Sequence, residues 1–200
     1  MKKLPFLLVC FLLLAGQVNG QSVENRDSLL NFFEKTRNGL LHEIEGLSSE
    51  QMQFKPSADK WSVSQCLEHI ILTEQMLFSM AKDSLARPAN PERRNEVKMT
   101  GDQLVAGILD RSFQAKAPEG LQPAGKYSNP SEAIKDFDAQ RKEIMAFLNQ
   151  VDIDKLKDHV SDSPFGPLNA YHSLLFVAGH TGRHTLQIEE VKSHPDFPGK

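Results

Sequence analysis

Apolar side chains recur every three or four positions along much of the chain, with charged side chains between them. Residues 25–47 show the pattern well, because Leu29, Phe33 and Leu40 fall on one face of a helix. No segment carries a convincing strand pattern, so we expect an all-α fold, an antiparallel four-helix bundle. Three further long helices are expected over residues 62–85, 132–149 and 169–192, and a shorter helix is expected over residues 102–115.

Particular residues mark where these helices begin and where loops interrupt them. The run Ser62-Val-Ser-Gln65 matches a capping box, which predicts that Ser62 caps the second long helix. Asn169 or a neighbour is expected to start the last one. Residues 87–100 and 117–131 are interrupted by prolines, and the second segment also holds two glycines. Both are therefore expected to be connections without a long helix.

The first 20 residues have the layout of a secretory signal peptide. Lys2 and Lys3 precede an unbroken apolar run at residues 6–15, and small residues follow it before Gly20. That run is too short to span a bilayer as a mature helix. We therefore expect cleavage near Gly20, a single mature domain over residues 21–200, and a periplasmic or secreted protein with no membrane attachment after cleavage.

Charge and cysteine content exclude several classes of protein. The formal net charge is −3, and loss of Lys2 and Lys3 with the signal would make it −5, so no basic nucleic-acid surface is expected. Cys66 would be the only cysteine after cleavage, which rules out an intramolecular disulfide. An apolar core must hold the fold together, with help from a metal if one binds.

Two of the seven histidines stand four residues apart in the last helix, at His180 and His184. Side chains at this spacing lie on one helix face with Cβ atoms roughly 5–6 Å apart, and two imidazoles placed so can bind one divalent metal. Thr181 stands where the His-Glu-x-x-His zinc proteases carry their glutamate, which excludes that class. The spacing fits an ordinary pair of partly buried histidines equally well.

The best candidate for a third ligand is His69, at the edge of the apolar stripe of the second helix. A buried imidazole needs a polar partner, and a carboxylate or a backbone carbonyl would serve as well as a metal. Cys66, one turn earlier, is more typical of a core residue, and His172 is expected on the surface or behind the ligands. Gly179 and Gly182 indicate either close helix packing or room around a metal and its substrate.

Several segments together resemble the DinB-like (YfiT-like) superfamily. Lys60-Trp-Ser-Val-Ser-Gln-Cys-Leu-Glu-His69 resembles the start of its second helix, and the Phe-Lys-Pro-Ser run at 54–57 resembles the stretch before it. Phe165-Gly-Pro-Leu and the later Gly179-His-Thr-Gly-Arg-His-Thr-Leu-Gln-Ile resemble the family's closing helix. The likeness covers essentially the whole mature chain.

The resemblance implies a bundle with one long crossover connection and a metal held by three histidines, one from the second helix and two from the last. Carried over position by position, the metal ligands are His69, His180 and His184. Three neutral imidazoles suit Zn²⁺, Ni²⁺ or another late first-row metal. An open fourth position would bind water and lower its pKa towards ~7.

The resemblance further implies a metal-dependent hydrolase or a thiol-dependent transferase or isomerase. The leading hypothesis is a metal-dependent hydrolase of a small molecule, whose general base the sequence does not identify. Two alternatives stay open, a metal-binding or ligand-binding module without catalysis and a thiol-dependent S-transferase. Export counts against the transferase, because low-molecular-weight thiols are largely cytosolic. A homodimer is left open as the assembly.

Overall fold

The computed structural model describes residues 24–113 and 116–199, which are almost entirely helical or in short connections. The predicted signal peptide, residues 1–20, and the predicted start of the mature domain lie outside these residues. None of the described helices combines the length and the apolar character that crossing a bilayer requires. The α-helices are α1 Arg26–Ile44, α2 Ser49–Gln53, α3 Val63–Leu85, α4 Gly101–Leu109, α5 Pro130–Gln150, α6 Ile153–Lys157 and α7 Ala170–Lys192; single 3-10 turns cover Pro91–Glu96 and Glu119–Leu121.

Four long helices, α1, α3, α5 and α7, pack as a bundle in which α1 and α3 each touch both α5 and α7. The pair α1/α5 runs antiparallel, since Arg26 bonds to the Leu148 carbonyl and Arg37 to Asp138. The pair α3/α7 is also antiparallel, since His69 contacts His184 and Glu74 contacts Thr181. The pairs α1/α7 and α3/α5 run in the same direction. The long connection 86–129 carries the chain back along the bundle between α3 and α5, so the expected bundle with one crossover is confirmed.

The predicted helix starts are confirmed in detail. Ser62 caps α3 through a capping box with Gln65, and the Asn169 side chain accepts a hydrogen bond from the third residue of α7. The first helix stops at residue 44 and not 47, because Gly46 adopts a positive φ of 71° that ends the helical run. Helix α4 ends at 109 and not 115, where the Asp110 carboxylate accepts the backbone N–H of residue 112 in a turn.

Four short elements escaped the periodicity argument because each is too short to show a period. Helix α2 and helix α6 span five residues each, with Met52 and Leu156 as their buried anchors. Two-residue strands β1 Val160–Ser161 and β2 Leu168–Asn169 pair antiparallel and bring the chain directly into α7.

A buried ion pair joins all four long helices at mid-bundle. Glu74 of α3 and Arg141 of α5 are 0% and 2% exposed, and the Arg141 Nε donates to Glu74 Oε2 at 3.1 Å. The Arg141 guanidinium also donates to the Phe33 carbonyl of α1 at 2.8 Å and to the Thr181 hydroxyl of α7 at 3.0 Å. Because Thr181 follows His180 in α7, this network fixes the rotation of the helix that carries the histidine pair.

Candidate metal centre

Three imidazoles from two antiparallel helices converge on one point of the bundle. His69 projects from α3, and His180 and His184 project from one face of α7. One ring nitrogen from each lies within 4.8 Å of the others, and the ring centroids are 4.4 to 5.0 Å apart. The structure therefore brings together the three histidines that the sequence singled out.

The crossover connection orients the first of these rings. His69 Nδ1 lies 2.8 Å from the Leu121 carbonyl oxygen, which can only accept, so Nδ1 carries the proton and Nε2 keeps a lone pair, with the Thr73 hydroxyl 3.5 Å away. The connection is itself tied to α3, because the Glu68 carboxylate accepts the backbone N–H groups of Gly125 at 2.6 Å and Lys126 at 3.1 Å. His69 therefore has the backbone-carbonyl partner that the sequence left open, and its second nitrogen is available for a metal.

A side chain of α7 orients the second ring. His184 Nδ1 lies 2.8 Å from Gln187 Oε1, one turn along the helix. Arg111 donates to the same oxygen at 3.5 Å and makes a two-pronged ion pair with Glu190 at 2.7 Å for each bond. Because the Arg111 donor faces that atom, the Gln187 amide presents its oxygen, and His184 donates from Nδ1 and keeps a lone pair on Nε2.

The third ring lacks such a partner. His180 Nε2 lies 3.2 Å from His184 Nε2, while His180 Nδ1 is buried with no hydrogen-bond partner among the described residues. Since the neighbouring Nε2 is an acceptor, His180 Nε2 must carry the proton when no cation is present. Metal ligation through Nε2 would move that proton to Nδ1.

Electrostatics favour the neutral, ligating form of all three imidazoles. Burial is the largest cause that lowers the pKa of each ring below its ordinary value. The neighbouring His69 lowers the pKa of His184 further, to about 3, although Gln187 opposes this. At neutral pH the three rings are therefore uncharged, which leaves their lone pairs free for a cation.

Aromatic side chains flank the cluster on both sides. The Trp61 ring stacks on His184 with centroids 5.9 Å apart and lies 4.8 Å from the His69 ring. Phe176, one turn before His180 in α7, stacks on that ring at 6.4 Å with an angle of 22° between the planes. Trp61 is half-buried over the histidines, so it covers one side of the cluster and also packs against the apolar core.

Both glycines of α7 allow close packing against α4, the first of the two alternatives. A Cβ on Gly179 would lie 3.2 Å from Ile108, and a Cβ on Gly182 would lie 3.0 Å from Leu109. Arg183, between them and the second histidine, donates to the Ile108 carbonyl at 3.0 Å and to the Asp110 carbonyl. It therefore ties α7 to the end of α4 instead of pointing freely at solvent.

Two other candidates lie away from the cluster. Cys66 is fully buried in the core, and burial raises the pKa of its thiol to about 12, so a core role is favoured over ligation. The expectation of a surface or supporting role for His172 was wrong. It is 2% exposed and pairs with Glu24 at 2.7 Å, at the far end of α7.

The groups that orient the imidazoles were not predicted from the sequence. Gln187 stands three residues after His184 on the same helix, a spacing that brings side chains together and was visible in the sequence. The Leu121 carbonyl had no such signal, because it is a backbone atom in an irregular segment 52 residues from its partner.

A four-helix bundle with a three-histidine cluster between two antiparallel helices is the class that the fold and site define. The family model of the DinB superfamily matches residues 33–188 of this chain. The chain belongs to the DinB superfamily.

Two similar proteins come from Bacillus subtilis. The uncharacterized protein YuaE of strain 168 is 26% identical over 170 residues, which cover 82% of this chain and 96% of YuaE. The solved structure of YfiT covers 86% of this chain and 87% of its own, with a TM-score of 0.58 and 17% identity. YfiT is described as a probable metal-dependent hydrolase with an unusual four-helix bundle topology. At this identity the likeness shows a shared fold.

Proposed function

We propose that this protein is an exported metal-dependent hydrolase of a small molecule, with a divalent metal held by His69, His180 and His184. The observation that carries the proposal is the convergence of three imidazole nitrogens within 4.8 Å of one another. The description of YfiT as a probable metal-dependent hydrolase supports it, since the two proteins share the fold.

The three histidines are better suited to binding a metal than to hydrogen bonding with one another. Three neutral imidazoles are a donor set that binds Zn²⁺, Ni²⁺ or a similar late first-row cation, and we propose Zn²⁺ or Ni²⁺. Without a cation, the His180 and His184 Nε2 atoms face each other at 3.2 Å with one proton between them. The Leu121 carbonyl and Gln187 already hold the other two rings in the tautomer that ligation needs.

A divalent ion bound here would supply Lewis-acid chemistry and a water of lowered pKa, near ~7, as the nucleophile. The protein supplies orientation and shielding. His69 and His184 are held rigidly by their Nδ1 hydrogen bonds, and Trp61 covers the His184 ring against bulk water. We place substrate entry beside His180 and Phe176, which are half-buried where His69 and His184 are buried.

Thermal unfolding with and without metal tests the site. A cation that binds only the folded state stabilises it by roughly 2.7 kcal/mol at a hundredfold excess over Kd, so the metal-free protein should melt at a higher temperature when Zn²⁺ or Ni²⁺ is added. His69→Ala, His180→Ala and His184→Ala should each lose most of this increment. The exposed His42 is the control, and His42→Ala should keep it.

Two outcomes would contradict the proposal in different ways. If the wild type shows no metal-dependent shift at neutral pH, there is no metal site, and the three histidines are buried structural residues. If the shift occurs but the metal-loaded protein turns over none of a panel of ester, amide and phosphoester substrates, the protein is a metal-binding module.

Export is the second part of the proposal, and Lys2, Lys3, the apolar run 6–15 and the small residues before Gln21 support it. We expect the mature protein to begin near Gln21. Mass analysis of the N-terminus of protein expressed with its full sequence and recovered from the periplasm or medium tests this. An intact Met1 on protein in the cytosolic fraction would refute both cleavage and export.

A further inference from the structure

We propose that Phe176 and Phe165 form a subsite for an apolar, aromatic arm of the substrate, next to His180 of the histidine cluster. The substrate class is then a bipartite small molecule, with a polar scissile group at the cluster and an aryl or comparable apolar group on the two phenylalanines. This inference rests on the proposed function, which it makes more specific.

A continuous series of ring contacts leads out of the cluster. Phe176 stacks on His180, the least buried of the three histidines, with centroids 6.4 Å apart. Phe165 in turn contacts the Phe176 ring, with centroids 5.5 Å apart. Two ring-to-ring steps thus connect the proposed metal ligand to a side chain that is 52% exposed. A ligand group bound at the cluster and extending outwards would run along these rings.

The outermost ring is held in place by its backbone. Ser163 and Gly166 exchange backbone hydrogen bonds of 3.1 and 3.0 Å, and the Ser163 hydroxyl accepts the Phe165 N–H at 3.1 Å. Gly166 takes a φ of 93°, a conformation that L-residues rarely adopt, which closes the turn. The turn connects the paired strands β1 and β2. The fixed backbone places the Phe165 Cα at the mouth of the turn, and the contact with Phe176 is the ring contact that the Phe165 side chain makes.

The space beyond Phe165 is also apolar and is large enough for a ligand group. A groove of about 480 Å³ lies between the turn and the start of α4, with Met99, Phe165 and Pro167 in its wall. This volume is within the ~300–1,000 Å³ of small-molecule sites. Lys98 and Glu96 stand at its edge, so charges of both signs border an apolar floor. A single exposed phenylalanine is ordinary. The series of ring contacts that connects this groove to the histidine cluster is what indicates a subsite.

Hydroxamates separate this subsite from the metal site, because their head groups bind a metal directly and need no turnover. The probes are acetohydroxamate and benzohydroxamate, titrated into the Ni²⁺- or Zn²⁺-loaded protein by calorimetry. Burying about half of a phenyl ring corresponds to roughly a tenfold gain in affinity. We therefore expect benzohydroxamate to bind at least about tenfold more tightly than acetohydroxamate.

Variants locate the gain. Phe176→Leu and Phe165→Ser should lose most of the preference for benzohydroxamate and leave the affinity for acetohydroxamate unchanged. Phe165→Ser keeps the test valid if Phe176→Leu disturbs the bundle, since Phe165 is half exposed. Phe113→Ser is the matched control, because Phe113 is 72% exposed and lies outside the ring series, and it should bind both probes as the wild type does.

Each result decides between the two proposals. If the loaded protein binds both probes equally, or if Phe165→Ser keeps the full preference as the control does, the subsite is overturned and the metal site stands. If benzohydroxamate binds the metal-free protein as tightly as the metal-loaded protein, the rings bind apolar groups non-specifically and the subsite is overturned. If the protein takes up no metal and neither probe binds, the proposed function fails and the subsite fails with it.

Discussion

Replacing Gln187 by Leu should weaken metal binding without loosening the bundle. Gln187 Oε1 is the atom that accepts the His184 Nδ1 proton at 2.8 Å, and leucine offers no acceptor in its place. Without it, the tautomer with a proton on Nε2, which cannot bind a metal, is no longer disfavoured. Removing a hydrogen-bond partner of a ligating histidine costs about 10- to 100-fold in metal affinity, or about 1.4–2.7 kcal/mol. Leucine is a good helix former, so helix α7 itself should not suffer.

Competition between the protein and a chromophoric chelator for Zn²⁺ measures that affinity. Gln187→Glu keeps an acceptor beside His184 and adds a charge that Arg111 can pair with, so it should bind Zn²⁺ at least as tightly as the wild type. Glu190→Gln removes one partner of Arg111 but touches no imidazole, and it should stay within a few-fold of the wild type. Nitrogen-15 NMR of the metal-free protein should show the His184 proton on Nδ1 in the wild type. Wild-type Zn²⁺ affinity in Gln187→Leu, or a loss in Gln187→Glu as large as in Gln187→Leu, would refute the reasoning.

Three further predictions concern stability. Arg141→Met should cost about 3–5 kcal/mol in urea unfolding because it leaves Glu74 charged and buried, whereas the double variant with Glu74→Leu should recover much of this; equal losses in the two would show that the pair is not the source. Ser62→Ala should cost about 1 kcal/mol through the lost cap of α3, and an unchanged urea midpoint would contradict the capping role. The metal-free protein should lose stability as the pH falls below 6.5, because the unfolded chain protonates His184 there while the folded state does so only near its lowered pKa of about 3. His184→Gln should flatten this part of the pH profile, and a profile as steep as that of the wild type would assign the acid loss to other groups.

The sequence was sufficient for the bundle because the information lay in long periodic segments. Twenty or so residues with apolar positions on one face determine a helix and its buried side, and Ser62 and Asn169 determined two starts. The packing of α3 against α7 could not be predicted from the hydrophobic periodicity alone. It followed from the family resemblance, which placed His69 opposite the histidine pair.

The orientation of the three imidazoles was harder to predict from the sequence, for a physical reason. His180 and His184 share a face whatever the tertiary structure, so their pairing is a local property of one helix. The atom that aims His69 belongs to Leu121, in a connection without periodicity, and its position depends on how Glu68 and its neighbours bind that connection to α3. Such contacts are decided by packing between distant segments, which a single sequence does not display.

The hydrogen bond from His69 to the Leu121 carbonyl also affects how this site can change over time. A backbone oxygen is supplied by any amino acid, so point mutation at position 121 cannot delete it, and alignments of related chains would show no fixed residue there. Insertions or deletions in the connection 116–129 can delete it, since they move the backbone while the four long helices keep their packing. Length variation in an irregular loop is then a route, besides substitution of a histidine, by which a relative of this protein would lose the proposed metal site and keep its fold.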